Sequence, residues 1–209
     1  MDGTLIDSEK LWTLALVEVA GELGGTLSPE TRTAMVGTDL VSSVQMLLAD
    51  IDSDAELDVV RRLLVDATAK HFATSIEWRP GAQRLLHEVR SAGLPAALVT
   101  STHRNLTSAA LETIGRGNFD VIVCGDDVTH TKPHPEPYLT ALADLHVDAA
   151  RSVAIEDSPA GSTSAATAGL ATLVVPLEVP VKPAPGLTIV ASLDGVTLDT
   201  LRGLLQPGG

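Results

Sequence analysis

Glu156 and Asp157 are adjacent carboxylates that directly follow the apolar run Ser152–Ile155. Two acids side by side repel each other unless a cation neutralises them, and hard oxygen ligands in such a place suit Mg²⁺. Ser158 before Pro159 reads more simply, as the N-cap of the next helix. Thr100-Ser101-Thr102 follows the run Pro95–Val99. These hydroxyls either cap the helix that begins near Asn105 or, with backbone N–H groups, hold a phosphoryl oxygen at its N-terminus. Lys132 lies in Lys132-Pro133-His134-Pro135-Glu136-Pro137-Tyr138. It is either a solvated loop lysine or a compact point charge for a phosphate. At the start of the chain stands Met1-Asp2-Gly3-Thr4, in which Asp-Gly alone signals only a turn. Together the four stretches offer two phosphate anchors and three metal-type carboxylates, Asp2, Glu156 and Asp157.

These side chains need elements to present them. From Glu9 to Glu77 the pattern is helical. Leu11, Leu14, Ala15 and Val19 recur at helical spacing before Gly24-Gly25, and Ser28-Pro29-Glu30 is a helix start. Further helices are expected over Leu40–Ala49 and Ala55–Ala73. Beyond Arg79-Pro80-Gly81 short apolar runs alternate with amphipathic stretches. Strands are expected in Pro95–Val99, Phe119–Cys124, Ser152–Ile155, Ala171–Val175 and Thr188–Val190. Helices are expected over Ala82–Ala92, Asn105–Ile114, Pro135–Leu145, Pro159–Ala168 and Leu198–Leu205. That alternation is the signature of an α/β fold with a parallel sheet, whose ligands bind at the carboxyl ends of the strands. The chemistry-bearing residues all stand at such ends. Residues 1–9 and 78–209 are read as a Rossmann-like core, and 10–77 as a helical insertion.

Composition narrows the function classes. The chain carries a formal charge of −13 and only 2% aromatic residues, which disfavours a nucleic-acid binder. A small anionic ligand needs only a local positive site. Cys124 is the single cysteine and sits in an apolar run, so it reads as a buried strand residue and not as a nucleophile. The absence of disulfide potential, of a signal-type leader and of a long apolar run predicts a cytoplasmic protein with no membrane span. A monomer is the expected state.

D-G-T-L-I-D-S-E, V-T-S-T, T-K-P-H-P-E-P-Y and I-E-D-S-P-A-G, in this order, resemble the four motifs of haloacid dehalogenase superfamily phosphatases, and the helical insertion resembles that family's cap. The resemblance covers essentially the whole chain. It implies a Mg²⁺-dependent phosphoric monoester hydrolase that acts through an aspartyl-phosphate on a small phosphorylated metabolite, with a sugar phosphate expected. It assigns proton transfer to Asp2, phosphoryl binding to Thr100, and charge stabilisation to Lys132. It assigns Mg²⁺ binding to Glu156, Asp157 and the backbone carbonyl of Asp2. Gly3, Thr4 and Ser101 become phosphate-side contacts. Asp2 favours phosphate esters, because superfamily dehalogenases and phosphonate hydrolases lack an aspartate there. In the cap, Glu9, Trp12, Gly37 and Thr38, with Arg79 at the junction, are candidate substrate contacts. Trp12 also reads as cap packing and Gly37 as a helix C-cap. Sugar-phosphate mutases of the family carry a His near Trp12 and an Arg near Leu40, so a hydrolase is expected over a β-phosphoglucomutase-like isomerase.

The pattern breaks at one point. The family's nucleophilic aspartate stands immediately before the residue at Met1, at the end of a central strand. The expectation is a shortened N-terminus and therefore an inactive form. A phosphosugar-binding pseudoenzyme and a substitute nucleophile at Asp7 are the alternatives.

Overall fold

The structure, a computed structural model, describes residues 1–35, 40–74, 76–177 and 179–205. The chain divides into two compact units. One comprises Ser8–Ile76 and Ser108–Thr113; the other comprises Met1–Asp7, Glu77–Thr107 and Ile114–Gly209.

The first unit is helical. Its elements are α1 (Glu9–Glu22), α2 (Pro29–Ala34), α3 (Leu40–Asp50) and α4 (Leu57–Thr74). Leu11, Ala15, Leu16 and Val19 line one side of α1 and are buried, and α1 packs along α4. Val44, Leu47, Val60 and Leu64 complete the same apolar cluster with no exposed surface. Burial of each such side chain stabilises the unit by about 1.5–3 kcal/mol. The turn after α1 needs its glycines. Gly24 has φ +82°, and a Cβ on Gly25 would lie 2.5 Å from that of Ile51. Ser28 caps α2 as expected, accepting from the Thr31 N–H at 3.2 Å.

The α/β unit contains two parallel sheets. β1 (Ala97–Val99) pairs with β2 (Val121–Val123). β3 (Val153–Glu156), β4 (Ala171–Val174) and β5 (Leu187–Ile189) form the other sheet in that order. The unit's helices are α5 (Ala82–Ser91), α7 (Glu136–Leu145), α8 (Pro159–Thr167) and α9 (Leu198–Gly203), while α6 (Arg104–Ile114) is divided, with Ser108–Thr113 grouped with the helical unit. Elements thus fall where the apolar rhythm places them, with strands shortened to the residues that pair. Cys124 lies one residue past β2, fully buried, and burial pushes its thiol pKa up.

Among the described residues no ladder joins the two sheets. β1 and β3 instead both line a cavity of about 600 Å³ that is walled by Leu85, Leu98, Val99, Ala154 and Ile155 and reached by Met1. The parallel α/β architecture is present, but as a two-stranded and a three-stranded sheet. Among the described residues, one edge each of β1 and β3 has no strand partner.

Candidate active site

The Asp2-to-Ile6 turn is tight. The Gly3 N–H donates to the Ile6 carbonyl at 2.9 Å, and the Leu5 N–H to that of Met1 at 2.8 Å. Gly3 has φ +68°, and a Cβ there would lie 2.2 Å from Asp157 Oδ2. Only glycine satisfies both the dihedral and the close approach. Thr4 Oγ1 donates to Asp157 Oδ1 at 2.7 Å, so the first and fourth motifs are joined directly.

At the end of β1 the Thr100 N–H donates to the Val123 carbonyl at 2.9 Å. Thr100 Oγ1 accepts the Thr102 N–H at 3.1 Å, a local turn of the kind threonine favours. Both threonines face Asp2. Thr102 Oγ1 donates to Asp2 Oδ2 at 2.7 Å, and Thr100 Oγ1 approaches the same oxygen at 3.5 Å. Asp2 Oδ1 is, among the described residues, the buried side-chain oxygen or nitrogen that has no hydrogen-bond partner. An unmet buried carboxylate oxygen is costly and marks a place meant for another group.

Lys132 reaches inward. Its Nζ donates to the Val99 carbonyl at 3.0 Å and to Glu156 Oε1 at 2.5 Å, and it lies 5.1 Å from the centre of the Tyr138 ring. The side chains of this ion pair are only 9% and 5% exposed, so each charge depends on the other. The Tyr138 hydroxyl donates to the same Glu156 oxygen. Burial, followed by the Glu156 charge, pushes the phenol pKa far up and keeps it a donor. Glu156 Oε2 packs on Gly161, where a Cβ would sit 1.9 Å away. Ser158 caps α8 by accepting the Gly161 N–H at 3.1 Å.

Asp157 is left with the Thr4 hydroxyl, and burial pushes its pKa up. Burial pushes the α-amino group of Met1 down, within reach of the charges of Asp2, Lys132, Glu156 and Asp157. The cluster holds three carboxylates against one lysine. This excess of carboxylates, with Asp157 pushed up by burial, fits a divalent cation with oxygen ligands. Glu156 Oε1 is already shared by Lys132 and Tyr138, and its Oε2 packs against Gly161.

Asp2, Gly3, Thr4, Thr100, Lys132, Glu156 and Asp157 therefore converge. Ser101 is exposed beside them, its carbonyl close against Gly125. The Arg79 N–H donates to the Leu5 carbonyl at 2.8 Å, which ties it to the Asp2 turn through backbone. Trp12 belongs to the helical unit, edge-on to Phe72 with ring centres 6.5 Å apart. Gly37 and Thr38 lie outside the described residues, as does the side chain of Glu9, whose backbone opens α1. Tyr138 and Gly161 were not singled out for the site from sequence, and Thr102 was read only with Thr100 and Ser101 as part of one hydroxyl stretch. All three lie within or beside the motifs, but hydroxyls and a glycine there also read as caps and turns.

The chain matches the family of haloacid dehalogenase-like hydrolases over residues 1–175. It is 30% identical over 174 residues to a phosphorylated carbohydrates phosphatase of Thermotoga maritima, covering 81% of this chain and 79% of that protein. It is 31% identical over 184 residues to the validoxylamine A 7′-phosphate phosphatase of Streptomyces hygroscopicus subsp. limoneus, covering 81% and 80%. Among solved structures it resembles CbbY from Rhodobacter sphaeroides in complex with phosphate. That likeness has a TM-score of 0.79 and 29% identity over 97% of this chain and 96% of the other. A match over most of its length, with the four motifs gathered at one end of two parallel sheets, makes this chain a member of the haloacid dehalogenase-like hydrolase family.

Proposed function

We propose that the protein is a Mg²⁺-dependent phosphatase for a small phosphorylated carbohydrate, working through an aspartyl-phosphate. The observation that carries this reading is the half-buried Asp2 carboxylate, with Oδ2 held by Thr102 and approached by Thr100 and Oδ1 buried without a partner, on the turn whose Gly3 and Thr4 meet Asp157. Such an oxygen is poised to give a proton to a leaving alkoxide and then to take one from water. Lys132 balances charge on the phosphoryl group, and Glu156 and Tyr138 act through it as positioning residues. Thr100, Ser101, Gly3 and Thr4 surround the phosphoryl oxygens. Asp157 and the backbone carbonyl of Asp2, with Glu156 behind them, would hold Mg²⁺, which polarises the phosphoryl oxygens and screens an anionic nucleophile from an anionic substrate.

The nucleophile is assigned to the residue attached to the Met1 nitrogen. That nitrogen is buried within the charge field of the whole cluster, so a carboxylate borne there would enter its centre. A strand leading into it would meet the open edges of β1 and β3 along the cavity between them. A protein confined to residues 1–209 has no carboxylate at that place and is expected to bind phosphate monoesters without turnover. Asp7 is a poorer substitute, because its N–H is tied to the Glu77 carbonyl at 3.0 Å, beyond the turn. Relatives named for phosphorylated carbohydrates and for a validoxylamine phosphate support the substrate class. Hydrolysis is preferred to isomerisation because Trp12 and Leu40 stand where the mutases carry polar groups, and both pack on the helical unit's core.

The test compares phosphate release from an aryl phosphate and a panel of sugar phosphates by two proteins. One is residues 1–209; the other is extended by an apolar strand ending in Asp. Mg²⁺-dependent release by the extended protein alone supports the proposal. Release by neither, although both are folded, overturns it.

A further inference from the structure

A second group of ligand-type side chains lies outside the phosphate cluster, on the segment between β2 and α7. His130, His134 and Glu136 each present one ligand atom, and these three atoms lie within 4.8 Å of one another. His130 Nδ1 is 2.8 Å from Glu136 Oε2, and His134 Nδ1 is 3.9 Å from the same oxygen. The two imidazoles overlap, with ring centres 4.6 Å apart and planes inclined by 33°. Their side chains are 62% and 51% exposed, so solvent ions reach them.

The carboxylate is fixed from behind. Glu136 opens α7 and accepts the N–H groups of Thr129 at 2.7 Å and His130 at 3.0 Å. The Glu136 N–H in turn donates to His134 Nδ1 at 3.2 Å, which orients that ring and leaves Nε2 as its ligand nitrogen. Oriented ligands with backbone support are what a metal site needs beyond its donor atoms. A simple surface ion pair would use one histidine; here a second ring is stacked against the first and directed at the same carboxylate.

We propose that His130, His134 and Glu136 form a separate site for a Zn²⁺-class transition metal, which pins the loop that carries Lys132. The donor set separates it from the carboxylate cluster. Imidazole nitrogen suits Zn²⁺, whereas Mg²⁺ takes oxygen ligands. Zn²⁺ binds nitrogen and carboxylate oxygen at about 2.0–2.2 Å, which puts tetrahedral ligands about 3.3–3.6 Å apart, so the widest pair closes by at most about 1.5 Å while His130 and Glu136 part by about half an ångström, within reach of small turns of exposed rings. Three protein ligands leave a fourth position to water, which makes the ion exchangeable. Lys132 lies between the two histidines in sequence, and its ammonium is anchored on Val99 and Glu156, so an ion at the loop tip and the ion pair at its base hold the same segment.

The test is calorimetric titration of residues 1–209 with ZnCl₂ in excess Mg²⁺, which occupies the carboxylate cluster. One Zn²⁺ per chain is expected, with a rise in Tm and shifts of the His130 and His134 imidazole NMR signals. His130→Ala and His134→Ala should each weaken binding about tenfold or more. Asp157→Asn and the surface control His146→Ala should leave it unchanged. Absence of Zn²⁺ binding under these conditions overturns the proposal. So does binding that survives His130→Ala and His134→Ala, or that is lost in Asp157→Asn.

Discussion

Asp50 in the helical unit and Asp157 in the α/β unit are both acids held by a nearby hydroxyl, yet their surroundings are opposite. Asp50 receives the Ser28 N–H, the Ser28 hydroxyl and the Thr31 hydroxyl, each at 2.7 Å. Those donors, the Ser28 N–H foremost, hold its pKa below the usual carboxylate value. Asp157 has the Thr4 hydroxyl and lies beside Glu156, and burial pushes its pKa up. The first acid completes a helix start and asks for nothing more. The second belongs to a cluster in which Asp2 Oδ1 also lacks a partner. An acid with its donors supplied serves as scaffold, whereas under-satisfied acids gathered at strand ends fit the Mg²⁺ role proposed for them.

The largest expected break of this contrast is Lys132→Met. It leaves Glu156 buried without its cation, at a cost of about 3–5 kcal/mol by urea denaturation. If the protein extended by a strand ending in Asp is active as proposed, the same change should lower its kcat by about 10²–10³-fold. Adding Glu156→Gln should recover part of the stability and none of the activity. Next is Leu64→Ala, in the fully buried cluster of the helical unit, with a loss of about 2–5 kcal/mol in the same assay. Gly161→Ala drives a methyl into Glu156 Oε2 and should cost about 1–3 kcal/mol. Gly117→Ala, with nothing within 4 Å of the added carbon, should cost far less.

The smallest effects carry the sharpest comparison. The lowered pKa of Asp50 gives stability that is present above its unfolded value of 3.8 and lost as pH falls through the folded value. The raised pKa of Asp157 acts the other way. Its contribution is full below 3.8 and is lost as pH rises through the folded value. Asp50→Asn should therefore lower Tm at pH 7 and matter little in acid. Asp157→Asn should raise the Tm of the metal-free protein at pH 7 and abolish further stabilisation by Mg²⁺. Thermal scans across pH, with and without Mg²⁺, check both; a drop in metal-free Tm for Asp157→Asn would contradict the reading of that cluster.

Much of the fold was visible in one dimension. Ser28-Pro29 and Ser158-Pro159 start helices because a capping hydroxyl before a proline is a local signal, and both hydroxyls accept the expected N–H. The apolar runs marked the strands, since helix-covered parallel strands are apolar on both faces. What the pattern could not supply was which atoms meet. Tyr138 reaches Glu156 across 18 residues and Thr102 reaches Asp2 across 100. Such contacts depend on sheet register and helix rotation, which local spacing does not encode. The same limit applies to Trp12, whose indole could serve packing or substrate; the structure sets it against Phe72.

The hydrogen bond from Thr4 to Asp157 spans 153 residues. During synthesis at about 5–20 residues per second, Asp2 and Thr4 leave the ribosome well before the strand that completes their cluster. The helical segment Ser8–Ile76 emerges whole in that interval and can bury Leu64 and Val19 through contacts near in sequence. The phosphate cluster is thus among the last parts of the chain to assemble. On the proposed Mg²⁺ role, a polypeptide that ends before Asp157 can form the helical contacts of Ser8–Ile76 but lacks an acid of the cluster, so capture of the cation would report that translation had passed Asp157.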